Sequence, residues 1–294
     1  MDEGVSVDRR SPDETFALLG NAIRVSILRA LAENPDGARS FSELREAVGE
    51  RDSGKFNYHL RKLTDQFVKH TDAGYELSLA GRQVVGALLA GTYTADATMD
   101  PISIDEPCPQ CEADSLVVEY EDEHVIVRCT DCEEFHNEFT FPPGALDQYD
   151  PEDLPEAVDR WLWTTFGRII AGFCPTCGGQ MPGDLVPVDD AEYPHPARCE
   201  FQCQRCGDVA STAPSLPVYF HPAVMGFHFD HGIDVTAEPT WRVVGAHDAH
   251  ETTVVTEDPF AVRVVIDIEG DTVSAVLDER LQVSQVERSD VDLT

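Results

Sequence analysis

Eight of the nine cysteines fall into four Cys-x2-Cys pairs, and no other feature limits the fold of this 294-residue chain as strongly. Cys108-Pro109-Gln110-Cys111 and Cys129-Thr130-Asp131-Cys132 form a C-x2-C-x17-C-x2-C set. Cys174-Pro175-Thr176-Cys177 and Cys203-Gln204-Arg205-Cys206 form a second, with 25 residues between its halves. Two residues between thiolates let a tight turn aim both sulfurs at one ion, and a second such turn completes a tetrahedral four-sulfur shell that suits Zn2+. With all four positions filled by protein, neither site has an open vertex for catalysis.

Residues 116–120, 125–128 and 135–141 have strand character around the first set, so each set is expected to form a zinc ribbon, with two structural Zn2+ ions in all. The glycines after Cys177 and Cys206 suit the positive φ needed where backbone amides turn toward sulfur. An iron–sulfur cluster is the rival for four thiolates; knuckles separated by strands favour zinc. Cys199 is the odd thiol, expected to be buried and inert; its exchange with Cys203 as a ligand and a redox-sensing role are the alternatives.

The charge is extreme. Twenty-one basic residues face 55 acidic ones, for a net charge of −34, and only Lys55, Lys62 and Lys69 are lysines. A dispersed acidic surface almost without lysine fits a salt-saturated, halophilic cytoplasm in which bulk salt screens the repulsion. The distribution is uneven: residues 1–94 carry net −2 and residues 95–294 net −32. Between Arg51 and Lys69 five basic groups meet two acidic ones, Asp52 and Asp65. No signal peptide and no apolar run of membrane-spanning length is visible, so a cytoplasmic protein without a membrane partner is expected.

In the first third, Ser11-Pro12-Asp13-Glu14 reads as a helix start with a capping box. Phe16 to Leu31 carries apolar residues at helical spacing with a break at Gly20-Asn21, and Asn34 to Gly37 ends the run. A helix over 41–48 follows. Another begins after Asp52-Ser53-Gly54, with Phe56, Leu60, Leu63 and Phe67 on one face and Lys55, Asn57, Tyr58, Arg61 and Lys62 on the other. Two short strands around an Asp-Ala-Gly turn and a helix from Leu79 to Leu89, capped by Ser78, complete the order of a winged helix-turn-helix.

Leu19-Gly20-Asn21-Ala22-Ile23-Arg24-Val25-Ser26-Ile27-Leu28-Arg29-Ala30-Leu31, together with Asn57-Tyr58-His59-Leu60-Arg61-Lys62-Leu63, resembles the ArsR-type winged-helix transcription regulators in the form common in haloarchaea. The resemblance covers residues 12 to about 91. It implies a homodimer on double-stranded DNA, with the Leu79–Leu89 helix in the dimerising position. It does not bring metal sensing by the family's founding route, because no cysteine precedes Cys108. For the proposed reader, Asn57 matches adenine edges or a phosphate, Tyr58 a thymine methyl or the wing, and Lys55, Arg61, Lys62 and Lys69 match phosphates. His59 is expected to be structural.

The remainder divides into a linker at 95–107, ribbon 1 at 108–144, a connecting helix at 145–172, ribbon 2 at 173–213 and a small α+β unit at 214–294. Trp161 and Trp163 of the connecting helix are expected to pack internally. His228 and His231 share a face, without a third ligand for a metal. Residues 241–244, 252–257, 261–269, 272–277 and 281–286 read as strands. No nucleophile–base pair, phosphate-cradling loop or open metal site is present, so an enzyme is not expected. The fold class is thus multidomain α+β: an N-terminal winged helix-turn-helix over 1–94, two zinc ribbons joined by a helix, and the C-terminal α+β unit. The leading function is a sequence-specific DNA-binding transcription regulator. The alternatives are an adaptor that contacts other transcription proteins and a zinc- or redox-responsive sensor.

Overall fold

The structure is a computed structural model that describes residues 7–34, 37–132, 134–190, 193–243 and 250–289. It divides into two compact units, one of residues 1–96 with 142–145, the other of 97–141 with 146–294.

The first unit runs α1 (Pro12–Leu19), α2 (Ala22–Ala32), α3 (Phe41–Val48), α4 (Ser53–Leu63), β1 (Val68–Thr71), β2 (Gly74–Leu77) and α5 (Leu79–Leu89). The helix starts follow from short polar side chains that satisfy the free backbone amides of a first turn. Asn21 accepts from the amides of Ile23 and Arg24, Asp52 from Gly54 and Lys55, and Ser78 from Gly81. The capping box expected at Ser11 and Glu14 does not form: the Ser11 hydroxyl donates to the Asp13 carboxylate, and the Ser11 side chain accepts no backbone amide. A complete box stands instead at Ser40 and Glu43, where Glu43 Oε2 accepts from the Ser40 amide at 2.8 Å. Of the expected helix stop at 34–37, Pro35 and Asp36 lie outside the described residues.

Phe56, Leu60 and Leu63 of α4 and Phe67 beyond it are all buried, against Ile27, Leu28 and Leu31 of α2, Leu44 of α3, Leu77 of β2 and Val85 of α5. Helix α5 reaches that core only because Gly81 is bare: a Cβ there would lie 2.1 Å from the Phe67 carbonyl oxygen. Backbone cannot yield as a flexible side chain can, so Gly81→Ala is expected to cost roughly 2–3 kcal/mol. The melting temperature of this unit should then fall by about 10 °C or more; an unchanged value in scanning calorimetry would contradict the docking of α5.

The second unit begins with an antiparallel sheet in the order β3-β4-β5-β6, from β3 (Met99–Ser103), β4 (Leu116–Glu121), β5 (His124–Cys129) and β6 (His136–Thr140). The stretch 95–107, read from sequence as a linker, therefore carries a strand. Pro101 is tolerated there because β3 is an edge, and the register shifts between Met99 and Ile102. Helix α6 (Leu154–Ile170) leads to the sheet β7-β8-β9, from β7 (Gly183–Pro187), β8 (Ala197–Gln202) and β9 (Val209–Thr212). Three short helices follow, α7 (Ser215–Tyr219), α8 (Pro222–Asp230) and α9 (Thr240–Val243). A meander closes the unit: β10 (His250–Glu257), β11 (Phe260–Ile268), β12 (Asp271–Asp278) and β13 (Val283–Ser289).

The segments separated by sequence share cores here. Ile169 of α6, Cys174, Met181, Leu185, Cys199 and Phe201 of the second cysteine region, and Val262 and Leu277 of the meander form one buried cluster. Val218, Val224, Phe227 and Val243 of the short helices form another with Val264, Ile266 and Val273. Trp161 meets the Phe141 ring edge-on at 5.5 Å and donates its indole N–H to the Thr140 carbonyl, while Trp163 stacks on Phe220 at 4.2 Å. Trp163 thus packs internally as expected, whereas Trp161 keeps 41% of its surface exposed despite these contacts.

Residues 241–243, read as part of a strand, are helical in α9, and Val244 lies outside the described residues. The cause is remote in sequence. Asp159 of α6 accepts the Thr240 amide at 3.0 Å and bonds the Thr240 hydroxyl, which caps the first turn from outside. The last strand starts at Val283 and not Leu281, because Leu281 takes a φ of 59° in the preceding turn.

Burial pushes the Asp159 carboxyl up to about 6, against the pull of the Thr240 hydrogen bonds. A carboxyl that holds its proton more tightly when folded stabilises the fold less as pH rises through that window. Relative to Asp159→Asn, the wild-type protein should lose about 1 kcal/mol of unfolding free energy between pH 5 and pH 7. Denaturant titrations of both proteins at the two pH values measure this difference; a constant difference would refute it.

Candidate metal centres and a cationic helix face

At the first cysteine set, the chain turns at Cys108–Cys111 and again after β5 delivers Cys129. Cys108 Sγ lies 3.8 Å from Cys132 Sγ, and Cys111 Sγ 3.7 Å from Cys129 Sγ. At the second, Cys174 and Cys206 are 3.6 Å apart and Cys177 and Cys203 3.5 Å. Within each set all four sulfurs lie within 4.8 Å of one another. Four sulfurs at about 2.3 Å from one tetrahedral ion would be about 3.8 Å apart, whereas a disulfide would need about 2 Å. Both sets therefore have the geometry of metal ligands, compatible with two structural zinc ions.

Backbone amides turn onto the sulfurs as such sites require. The amides of Gln110 and Asp131 point at Cys108 and Cys129, and those of Gly179 and Arg205 at Cys177 and Cys203, each at 3.4 Å. The Cys206 amide holds the Cys203 thiol down to about 6. Gly178 and Gly207 take positive φ values of 67° and 80°. Cys199 is wholly buried on β8, outside the four-sulfur group, and burial pushes its thiol up to about 12, the behaviour of an inert core cysteine. Cys203 keeps its place in the group, so no exchange with Cys199 occurs.

His228 and His231 do not converge on a metal. His228 is buried with Nδ1 at the Val224 carbonyl, and His231 bridges the Phe227 carbonyl and Asp271.

Helix α4 presents a different surface. Lys55, Asn57, Tyr58, Arg61 and Lys62 are all exposed, and Lys69 is exposed on β1. Its eleven residues contain no carboxylate, in a chain that has 55. Lys62 Nζ stands 5.8 Å from the centre of the Tyr58 ring, which is 57% exposed. His59 is buried on the inner side, where burial, Arg24 and Lys55 push its pKa down. Sequence reasoning missed one partner: Glu50, just before the helix, holds Lys55 Nζ at 2.9 Å. It also missed Glu106, whose carboxylate takes the Trp241 indole N–H at 3.0 Å and the Arg242 guanidinium. Glu50, close to Lys55 in sequence, was legible as a nearby opposite charge, whereas Glu106 lies 135 and 136 residues from its partners and had no such signal.

Comparison with known families adds extent but no activity. A family model described as a domain of unknown function (DUF7351) matches residues 105–283, and a second (DUF7347), likewise of unknown function, matches residues 12–88. No curated protein matches the chain. Among the described residues, no single helix is long and apolar enough to cross a membrane.

Proposed function

The chain belongs to the DUF7351 family, and on that premise we propose that it is a sequence-specific DNA-binding transcription regulator whose metal-holding region is joined to an ArsR-like winged helix-turn-helix. The observation that carries this reading is the α4 face: an exposed helix free of carboxylates, with Lys55, Asn57, Tyr58, Arg61 and Lys62 on its outer side. In the winged-helix arrangement that helix enters the major groove, and the β1–β2 hairpin brings Lys69 toward the flanking backbone. Asn57 can bond adenine in a bidentate manner; the three α4 cations neutralise phosphates.

A homodimer is part of the proposal. Leu79 and Leu89 of α5, the helix in the dimerising position by resemblance, are each more than 60% exposed, as is Phe16 of α1. The rest of the chain, with its two zinc ribbons, serves regulation or assembly in a halophilic, archaeal cytoplasm whose salt screens the acidic surface.

Chromatin pull-down of the tagged full-length protein tests this. Discrete chromosomal sites should be enriched, and a Lys55→Gln, Arg61→Gln, Lys62→Gln variant should lose them. Equal enrichment by both proteins, or none by the wild type, would overturn the proposal.

A further inference from the structure

The two cysteine sites are not chemically equal. At the second, Asp208 Oδ2 lies 3.5 Å from Cys174 Sγ, and the Thr176 hydroxyl donates to the same oxygen at 2.7 Å. The backbone fixes this approach. Gly207, at φ 80°, turns the chain back, and the Asp208 carbonyl accepts the Cys203 amide at 2.8 Å. Asp208 follows Cys206 by only two residues, yet its carboxylate arrives beside the thiol at the far end of the ligand set. At the first site, among the described residues, the sulfurs meet other sulfurs and backbone amides, and no carboxylate hydrogen-bonds to them.

The distance has a chemical meaning. Zinc bonds of about 2.3 Å to sulfur and about 2.0 Å to carboxylate oxygen, at a tetrahedral angle, separate the two donors by about 3.5 Å. Asp208 is thus already at a ligand-to-ligand spacing from Cys174, although it stands outside the four-sulfur group. Exposure points to the vertex it would fill: Cys174 and Cys203 are buried, whereas Cys206 is exposed and is the ligand of this set most accessible to solvent.

We propose that Asp208 is a reserve donor of the second site, held beside Cys174 by Thr176 and able to take the vertex of Cys206, so that this site keeps its ion when that thiolate is lost. The ligand class is a divalent ion that accepts a mixed sulfur and oxygen shell, as Zn2+ and Co2+ do. The first site shows no such reserve among its described neighbours, so loss of Cys132 there is expected to release its ion.

Co2+ substituted into the full-length protein reads this directly through its colour and its stoichiometry. The wild type should bind two ions and Cys132→Ala one. Cys206→Ala should still bind two, with weaker sulfur-to-cobalt charge-transfer absorption as one thiolate gives way to oxygen, and Cys206→Ala with Asp208→Ala should bind one. Retention of one ion only by Cys206→Ala would overturn the proposal. Asp208→Ala in the intact cysteine background guards against a folding failure. One of the two phases of Co2+ release to a chelator should become roughly tenfold faster, the scale typical of lost outer-shell partners. Unchanged release in both phases would equally refute the role of Asp208.

Discussion

Removal of metal should unfold the second unit and leave the first intact. Cys174 and Cys203 sit at 0% and 2% exposure inside the same buried cluster as Val262 and Leu277 of the meander, so the second ion and the C-terminal sheet share one core. Structural zinc contributes on the order of 10–16 kcal/mol in small zinc domains, as much as or more than the 5–15 kcal/mol that holds a whole domain folded. Four thiols forced together without an ion cannot make up such a loss. The first unit contains no cysteine, and its core of α2, α3, α4 and α5 residues is complete in itself. The chain supplies its own reporter: its three tryptophans, Trp161, Trp163 and Trp241, all belong to the second unit. A chelator at neutral pH should shift tryptophan emission to the red and remove one of two calorimetric transitions, while helical circular dichroism from the first unit persists. Loss of both transitions together, or of neither, would contradict this division. Cys203→Ala should reproduce the effect in part, because it removes one ion and opens the shared core.

The features read correctly from sequence are those whose cause lies within a few residues. The four cysteine pairs are local, and two residues between thiolates leave little freedom in what they can do. The face of α4 was legible because Phe56, Leu60 and Leu63 recur at helical spacing and all three are buried. The misreadings at Ser11 and Leu281 were local, where a near neighbour or a turn took the place of the expected cap or strand; the larger ones have a remote cause. Helix α9 looked like a strand because Trp241 and Val243 favour strands, and the cap that makes it helical comes from Asp159, 81 residues away. Strand β3 looked like a linker because Asp100 and Pro101 are poor strand formers; it exists by pairing with β4. The second ribbon and the terminal unit, drawn as separate modules, share a core because Val262 and Leu277 supply the apolar cover that three short strands cannot supply alone. Asp208 was invisible for the same reason: its spacing from Cys206 could be read, but its approach to Cys174 arises only when both turns are folded.

The proposed DNA contacts divide into two kinds that salt should separate. Each phosphate neutralised by a cation releases counterions, so affinity falls with salt at a logarithmic slope of about 0.9 per contact. Loss of Lys55, Arg61 and Lys62 together should therefore weaken binding by roughly a hundredfold at 0.2 M salt and shift the logarithmic salt slope by about 2.7 in the positive direction. At 2 M salt the counterion contribution is gone and the triple variant should approach the wild type. Asn57→Ala behaves differently if Asn57 reads a base edge: it should cost about 1–3 kcal/mol at both salt concentrations, and only on the cognate sequence. Glu50 sharpens the test, because it already neutralises Lys55 in the free protein through the 2.9 Å pair. Glu50→Gln should remove that competitor, so that Lys55 meets its phosphate without first breaking an ion pair and binding at 0.2 M salt strengthens. The acidity of the chain bears on the outcome too. Nearly all of the net charge of −34 lies beyond residue 94, and its repulsion of DNA, screened over about 8 Å at 0.15 M salt and about 3 Å at 1 M, weakens as salt rises. The wild-type slope itself should accordingly be shallow or even positive, the sum of phosphate attraction at α4 and relief of repulsion elsewhere. Fluorescence anisotropy on one operator fragment across KCl concentrations measures all four proteins. A steep wild-type slope with a salt-independent loss in the triple variant would mean that α4 does not carry the phosphate contacts.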